Sequence, residues 1–157
     1  MATKRELYQG LATQLRALFE DEHDLIANAA NFAAILYHSL PDVNWAGCYF
    51  QKGEVLVLGP FQGKCARTRI AFGKGVCGTA ALNRTAVVVD NVREFPGHIA
   101  CDAASNSEIV VPILKAGRVV GVLDLDSPVF SRFDAEDQAG LESLVEVFVE
   151  GTEIVEP

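Results

Sequence analysis

Within the stretch from Asp90 to Asp126, a turn-rich loop carrying Cys101 leads into two strand-like segments that close on Asp124 and Asp126. Side chains two residues apart on a strand share a face, so the two aspartates project together. A thiol brought near several acids at one sheet edge points to thiol chemistry on a small ligand that carries positive charge. A second thiol lies upstream in Gly73-Lys74-Gly75-Val76-Cys77-Gly78. Its glycines let the chain turn tightly into a short helix of about Thr79 to Asn83. The N-terminus of that helix suits an anion such as a ligand carboxylate. It would also lower the pKa of Cys77 if the thiol sits in the first turn.

The same glycines match the G-x-G-x-x-G pattern of dinucleotide-binding folds, with Asp90 downstream as a ribose-binding acid. That reading fails on length. So short a helix cannot make a βαβ crossover, and no second such unit follows. Elsewhere, Trp45, Gly47 and Tyr49 alternate along VNWAGCYF and share one face. Two aromatics flanking a glycine form either a shallow slot for a thioether and a ligand ammonium or an ordinary core face. Cys48 alternates away from them and reads as a small buried hydrophobe. His98, three residues before Cys101, either tunes that thiol or serves a backbone hydrogen bond. The spacings of His98, Cys101 and Asp102 fit no paired-ligand pattern such as C-x-x-C, so no metal is expected, and no cofactor.

These residues are positioned by an ordered set of elements. At 157 residues and 50% hydrophobic content the chain supports one domain with a full core, residues 1–157. Two helices fill residues 1–40. The first carries Leu7, Leu11, Leu15 and Leu18 at helical spacing. The second, starting after Asp21 or Asp24, buries Leu25, Ile26, Ala29, Ala30, Ala33, Leu36 and Tyr37 and stops before Pro41. Its alanines, Ala34 included, allow either a homodimer through close helix packing or packing on the protein's own sheet.

Residues 43–130 read as a sheet with site loops. VNWAGCYF and EVLVLG form a hairpin, as do EIVVPILK and RVVGVLDLD around Ala116-Gly117. A strict two-residue turn there places Ile109 opposite Asp124 and sends Glu108 to the other face, so the three acids converge only if the strand start is irregular. Residues 134–150 form a final helix capped by Asp134, with Leu141, Leu144, Val145 and Phe148 on its buried side. The whole is an α+β domain on a mainly antiparallel sheet.

Charge and hydropathy exclude several classes. The net charge of -8 repels phosphate backbones and anionic membranes, so neither nucleic acid nor membrane is an expected partner. No apolar run approaches a membrane span, and the N-terminal stretch is amphipathic without a signal-peptide core, so the expected location is cytoplasmic. Four cysteines are too few for a disulfide scaffold and, in a reducing compartment, read as buried, metal-bound or catalytic.

VNWAGCYF, LVLGPFQGK, GKGVCGTA, FPGHIACDAASNSEIVVP, GVLDLDS and RFDAEDQAGLE together resemble the free methionine-(R)-sulfoxide reductases, a branch of the GAF-domain fold. The resemblance runs from about Asn44 to the final helix. It implies reduction of free L-methionine (R)-sulfoxide with electrons from thioredoxin. It makes Cys101 the attacking cysteine and Cys77 a candidate resolving partner. It also places Glu108, Asp124 and Asp126 around the substrate ammonium, and Trp45 and Tyr49 against the substrate side chain. The alternative is a non-catalytic GAF module that binds a small molecule and signals through dimer helices.

One departure stands out. The family usually carries a cysteine ten positions before the one matching Cys77, where this chain has Arg67, and Cys65 stands two residues earlier. If that segment is a strand, the shift keeps the face but moves the thiol by roughly 7 Å. Either Cys65 substitutes, or Cys77 resolves alone, or an external thiol attacks the oxidised Cys101 directly.

Overall fold

The computed structural model describes residues 1–98 and 103–155. Its centre is an antiparallel sheet of β1 (Trp45–Lys52), β2 (Val55–Gln62), β3 (Arg69–Ala71), β4 (Val87–Val89), β5 (Ser107–Lys115) and β6 (Arg118–Ser127), in the order β3-β2-β1-β6-β5-β4. The helices are α1 (Lys4–Leu18), α2 (Leu25–Ser39), α3 (Gly75–Asn83) and α4 (Ala135–Glu150). The expected α+β class holds. None of the helices is long and apolar enough to cross a membrane.

Alternation along the central strands builds two cores, one on each face of the sheet. Ala46, Cys48, Ile109, Val111, Ile113, Leu123 and Leu125 meet α1, α2 and α4 on one side. Trp45, Tyr49, Val110 and Val122 meet α3 with Val76, Cys77, Ala80 and Ala81 on the other. The first face is ordinary apolar packing. The second carries the chemistry.

The helices start where their capping residues permit. Asp24 accepts from the Ala27 amide and begins α2, so of the two candidate starts the later one is used. Within α2, Ala29, Phe32, Ala33 and Leu36 are buried against β1 and β2, whereas Ile26 and Ala30 point to solvent. Of the expected apolar set, those two are corrected by Phe32, whose ring stacks on Phe148 of α4 at 5.2 Å. The buried alanines therefore serve the chain's own sheet. In α1, Leu11 and Leu15 are buried as expected, but Leu18 is exposed and Tyr8 takes its place in the core.

Tyr8 also explains how α1 is held. Its ring covers Gly140 of α4, where an added Cβ would come within 2.3 Å. Its hydroxyl donates to Asp137 Oδ1 at 2.7 Å. Asp137, almost wholly buried, also accepts from Lys4 Nζ at 2.7 Å and Arg132 Nη1 at 3.3 Å, and it closes a capping box with Asp134. One carboxylate thus joins α1, α4 and the segment before α4. Asp137→Ala strands the buried Tyr8 hydroxyl and is expected to lower stability by roughly 3 kcal/mol. Asp134→Ala removes the cap and a half-exposed ion pair with Lys4 at 2.9 Å, and should cost about 1 kcal/mol. Urea midpoints at unchanged slope measure both.

Candidate active site

The register of the β5–β6 hairpin decides which acids meet. Lys115 pairs with Arg118 around Ala116 (φ 52°) and Gly117 (φ 76°), the two left-handed residues of a type I′ turn. Leu114 then pairs with Val119, but Ile113 pairs with Gly121, so Val120 is an extra residue on β6. Beyond that bulge the ladder is offset by one residue. Glu108 now lies opposite Asp126, not on the far face. The irregularity on which convergence depends is present, near the hairpin turn and not at the strand start.

Pairing with β1 completes a grid. Across the sheet, Glu108, Asp126 and Trp45 form one row, Val110, Asp124 and Gly47 the next, and Pro112, Val122 and Tyr49 the third. Directly opposed residues share a face, so the acids border the aromatics. All three carboxyls are buried, with Asp124 1% exposed. Asp124 Oδ2 accepts from the Cys77 thiol at 3.3 Å, while Asp124 Oδ1 is buried without a hydrogen-bond partner.

Removal from water dominates the electrostatics. Burial, and then the charge of Asp126, push the Glu108 carboxyl well above the usual carboxylate range. Burial and then Glu108 do the same to Asp124. Helix α3 starts at Gly75, four residues before the expected Thr79, which puts Cys77 in its first turn, yet its thiol is pushed up, not down. Burial outweighs the helix terminus there, and the Asp124 and Glu108 carboxyls add to it. His98 brings Nε2 to 3.5 Å from Glu108 Oε1, a contact with no signal in the sequence, and burial lowers its pKa.

The space between these groups is small. A cavity of about 10 Å³, room for about one water, is lined by Ile70, Lys74, Gly75, Val76, Cys77, Glu108 and Asp124. The ligating atoms of Cys77, Glu108 and Asp124 all lie within 4.8 Å of one another.

Trp45 and Tyr49 are fully buried. The indole lies over Gly47, where a Cβ would come within 2.7 Å of it, and stacks on Phe61 at 5.3 Å and on Tyr49 at 6.1 Å. The slot between the two aromatics is therefore filled by the indole itself. Both rings use their polar ends to hold the segment after β2. Trp45 Nε1 donates to the Lys64 carbonyl at 2.9 Å and the Tyr49 hydroxyl to the Arg67 carbonyl at 3.0 Å. That segment is a loop, since β2 ends at Gln62 and β3 begins at Arg69, so strand alternation does not govern Cys65. Cys65 is exposed on the loop. Cys48 is a buried thiol in the helix-side core, pushed up to about 12 by burial. Cys101 lies outside the described residues.

The sequence profile of the GAF domain matches residues 18–149. A protein named YtsP, from Bacillus subtilis strain 168, is 59% identical over 91% of this chain and 89% of its own length. The free methionine-R-sulfoxide reductase of Escherichia coli K12 is 51% identical over 90% of this chain and 86% of its own. The X-ray structure of the Neisseria meningitidis free methionine-R-sulfoxide reductase in complex with its substrate superposes with a TM-score of 0.92, at 42% identity over 96% of this chain and 91% of that one. The fold is thus that of a GAF domain. Within that fold, the chain belongs to the free methionine-R-sulfoxide reductase family.

The raised carboxyls carry a stability consequence. Glu108 and Asp124 hold protons more tightly in the folded protein than in the unfolded chain. Their contribution is fully present below the ordinary carboxylate range and is lost as pH rises through the raised values. The urea midpoint of the ligand-free protein should therefore fall as pH rises above the ordinary carboxylate range. Glu108→Gln should flatten that slope and be the more stable protein at its alkaline end, by about 1 kcal/mol.

Proposed function

We propose that the protein reduces free L-methionine (R)-sulfoxide, binding the substrate ammonium at Glu108, Asp124 and Asp126. The observation that carries this reading is the convergence of three buried carboxyls on one face, with Asp124 Oδ1 unpartnered. Such a group favours a cation that brings its own hydrogen-bond donors. An α-ammonium has three. A peptide-bound methionine offers one neutral amide N–H and no charge, and leaving the acids without a cation costs several kcal/mol, which would select the free amino acid. Trp45 and Tyr49 form the apolar side of the pocket, and substrate entry requires them or the neighbouring loops to yield space beyond the present cavity.

In the proposed cycle, the Cys101 thiolate attacks the sulfoxide sulfur. The sulfur–oxygen bond breaks with uptake of a proton, giving methionine and a Cys101 sulfenic acid. A second thiol displaces water from that acid and forms a disulfide, which a reduced thioredoxin-type dithiol reopens by exchange. Cys65 is the preferred resolving thiol. It is exposed on a loop tied to both site aromatics, whereas Cys77 is buried and bonded to Asp124. The reading includes a cytoplasmic, single-domain protein. A homodimer is also part of it, although Ala29 and Ala33 are already taken up by the chain's own sheet.

Turnover of the two epimers with thioredoxin, its reductase and NADPH tests the proposal. The R epimer alone should be consumed, and Cys101→Ser should abolish the reaction. Cys65→Ser should stop thioredoxin-dependent turnover while sparing a single turnover, and Cys77→Ser should leave recycling intact. N-acetylation of the substrate should lower kcat/KM by about a hundredfold or more, equal to roughly 2.7 kcal/mol. Equal use of both epimers, or indifference to N-acetylation, would overturn the assignment.

A further inference from the structure

Cys77 is not explained by ammonium binding. A primary ammonium needs acceptors, which the carboxyls supply, and it has little use for a buried thiol. Yet Cys77 Sγ stands 3.3 Å from Asp124 Oδ2 in the innermost part of the site. The thiol and two carboxyls, with ligand atoms within 4.8 Å of one another, approach the spacing of a metal's coordination shell. Zinc–sulfur and zinc–oxygen bonds of about 2.3 and 2.0 Å place neighbouring ligands about 3.5 Å apart.

We propose that Cys77, Glu108 and Asp124 form a binding site for a thiophilic divalent cation of the zinc type, overlapping the position of the substrate ammonium. Three further features support it. Asp124 Oδ1 is buried and accepts from no amide, hydroxyl or cationic donor among the described residues; its neighbour on this face is the Glu108 carboxyl, whose proton a bound cation would replace. The cavity of about 10 Å³ admits a bare ion without rearrangement, which a methionine sulfoxide cannot match. The donor set combines one thiol with two carboxyls, which favours zinc or cadmium over magnesium and calcium, ions that prefer larger all-oxygen shells.

Three protein ligands leave a fourth position open, as in zinc sites that exchange ligands and unlike closed structural ones. The metal holds Cys77 as thiolate, so binding releases the thiol proton and any proton the two carboxyls retain. An ion seated there covers two of the acids proposed to receive the ammonium. The expected effect is reversible inhibition relieved by a chelator. Only this competition rests on the proposed substrate position; the metal site itself does not.

Cadmium titration tests the site, because a cadmium–thiolate bond has its own ultraviolet charge-transfer band. The protein carries Cys65→Ser and Cys101→Ser, which removes the exposed thiol and the attacking one. One cadmium per chain with a charge-transfer band is expected, with zinc displacing it. A further Cys77→Ser should abolish the band, and Glu108→Gln or Asp124→Asn should weaken binding about tenfold or more. Circular dichroism confirms that each variant is folded. No band, a band that survives Cys77→Ser, or affinity indifferent to both carboxyl variants would overturn the proposal. Methionine sulfoxide added to the wild-type protein should compete with the metal. If it is turned over but leaves a Cys77-dependent band unchanged, the metal site stands and the ammonium placement fails.

Discussion

A carboxyl group taken out of water must keep its proton or find a cation, and three of them on one sheet face impose that choice together. Asp124 and Asp126 sit on a central strand whose opposite face is a fully apolar core. No solvent reaches them from below. The floor beside them is aromatic and glycine-lined, so it adds no competing donors. The nearest basic groups are His98, at 3.5 Å from Glu108, and Lys74 at the cavity wall, and neither bonds Asp124 Oδ1.

The rest of the architecture keeps that face rigid while leaving its rim open to change. Below the sheet, Asp137 ties α1 and α4 together through Tyr8, Lys4 and Arg132. Above it, coverage comes from α3 and from loops. The loop holding Cys65 is secured by two hydrogen bonds from the aromatics themselves. At the other rim, Val92 donates to the Asn106 carbonyl and Asn106 to that of Ser127, which anchors both sides of the segment that contains Cys101. The acids thus sit on paired strands, while Cys65 sits on a loop held by side-chain hydrogen bonds.

Much of this was legible in the sequence where a local rule governs. Alternation put Trp45 and Tyr49 together and Cys48 on the other face, and the helix start at Asp24 and the cap at Asp134 follow from side-chain oxygens that accept backbone amides. The misses are tertiary. Ile26 and Phe32 are both apolar residues of α2, and which one faces the sheet depends on how the helix is rolled. A thiol in a helix's first turn is expected to ionise readily. Burial of the Cys77 thiol, with two buried carboxyls beside it, reverses that expectation, and no spacing in the sequence reveals either. The contact of His98 with Glu108 likewise joins a loop to a strand. The loop at Cys65 was open to a strand reading because its backbone is held by ring nitrogen and hydroxyl groups far away in sequence.

Val120 has no chemistry of its own, yet the charge of the pocket passes through it. Moving from Val120 to Asp126 spans six residues of strand, about 20 Å. Over that length, the same two strands paired without the bulge would run one residue out of register, setting Asp126 opposite Ser107 and Glu108 opposite Leu125 on the helix-side face. A single unpaired residue near the hairpin tip, and not the identity of any acid, thus decides whether this face carries three carboxyls or two.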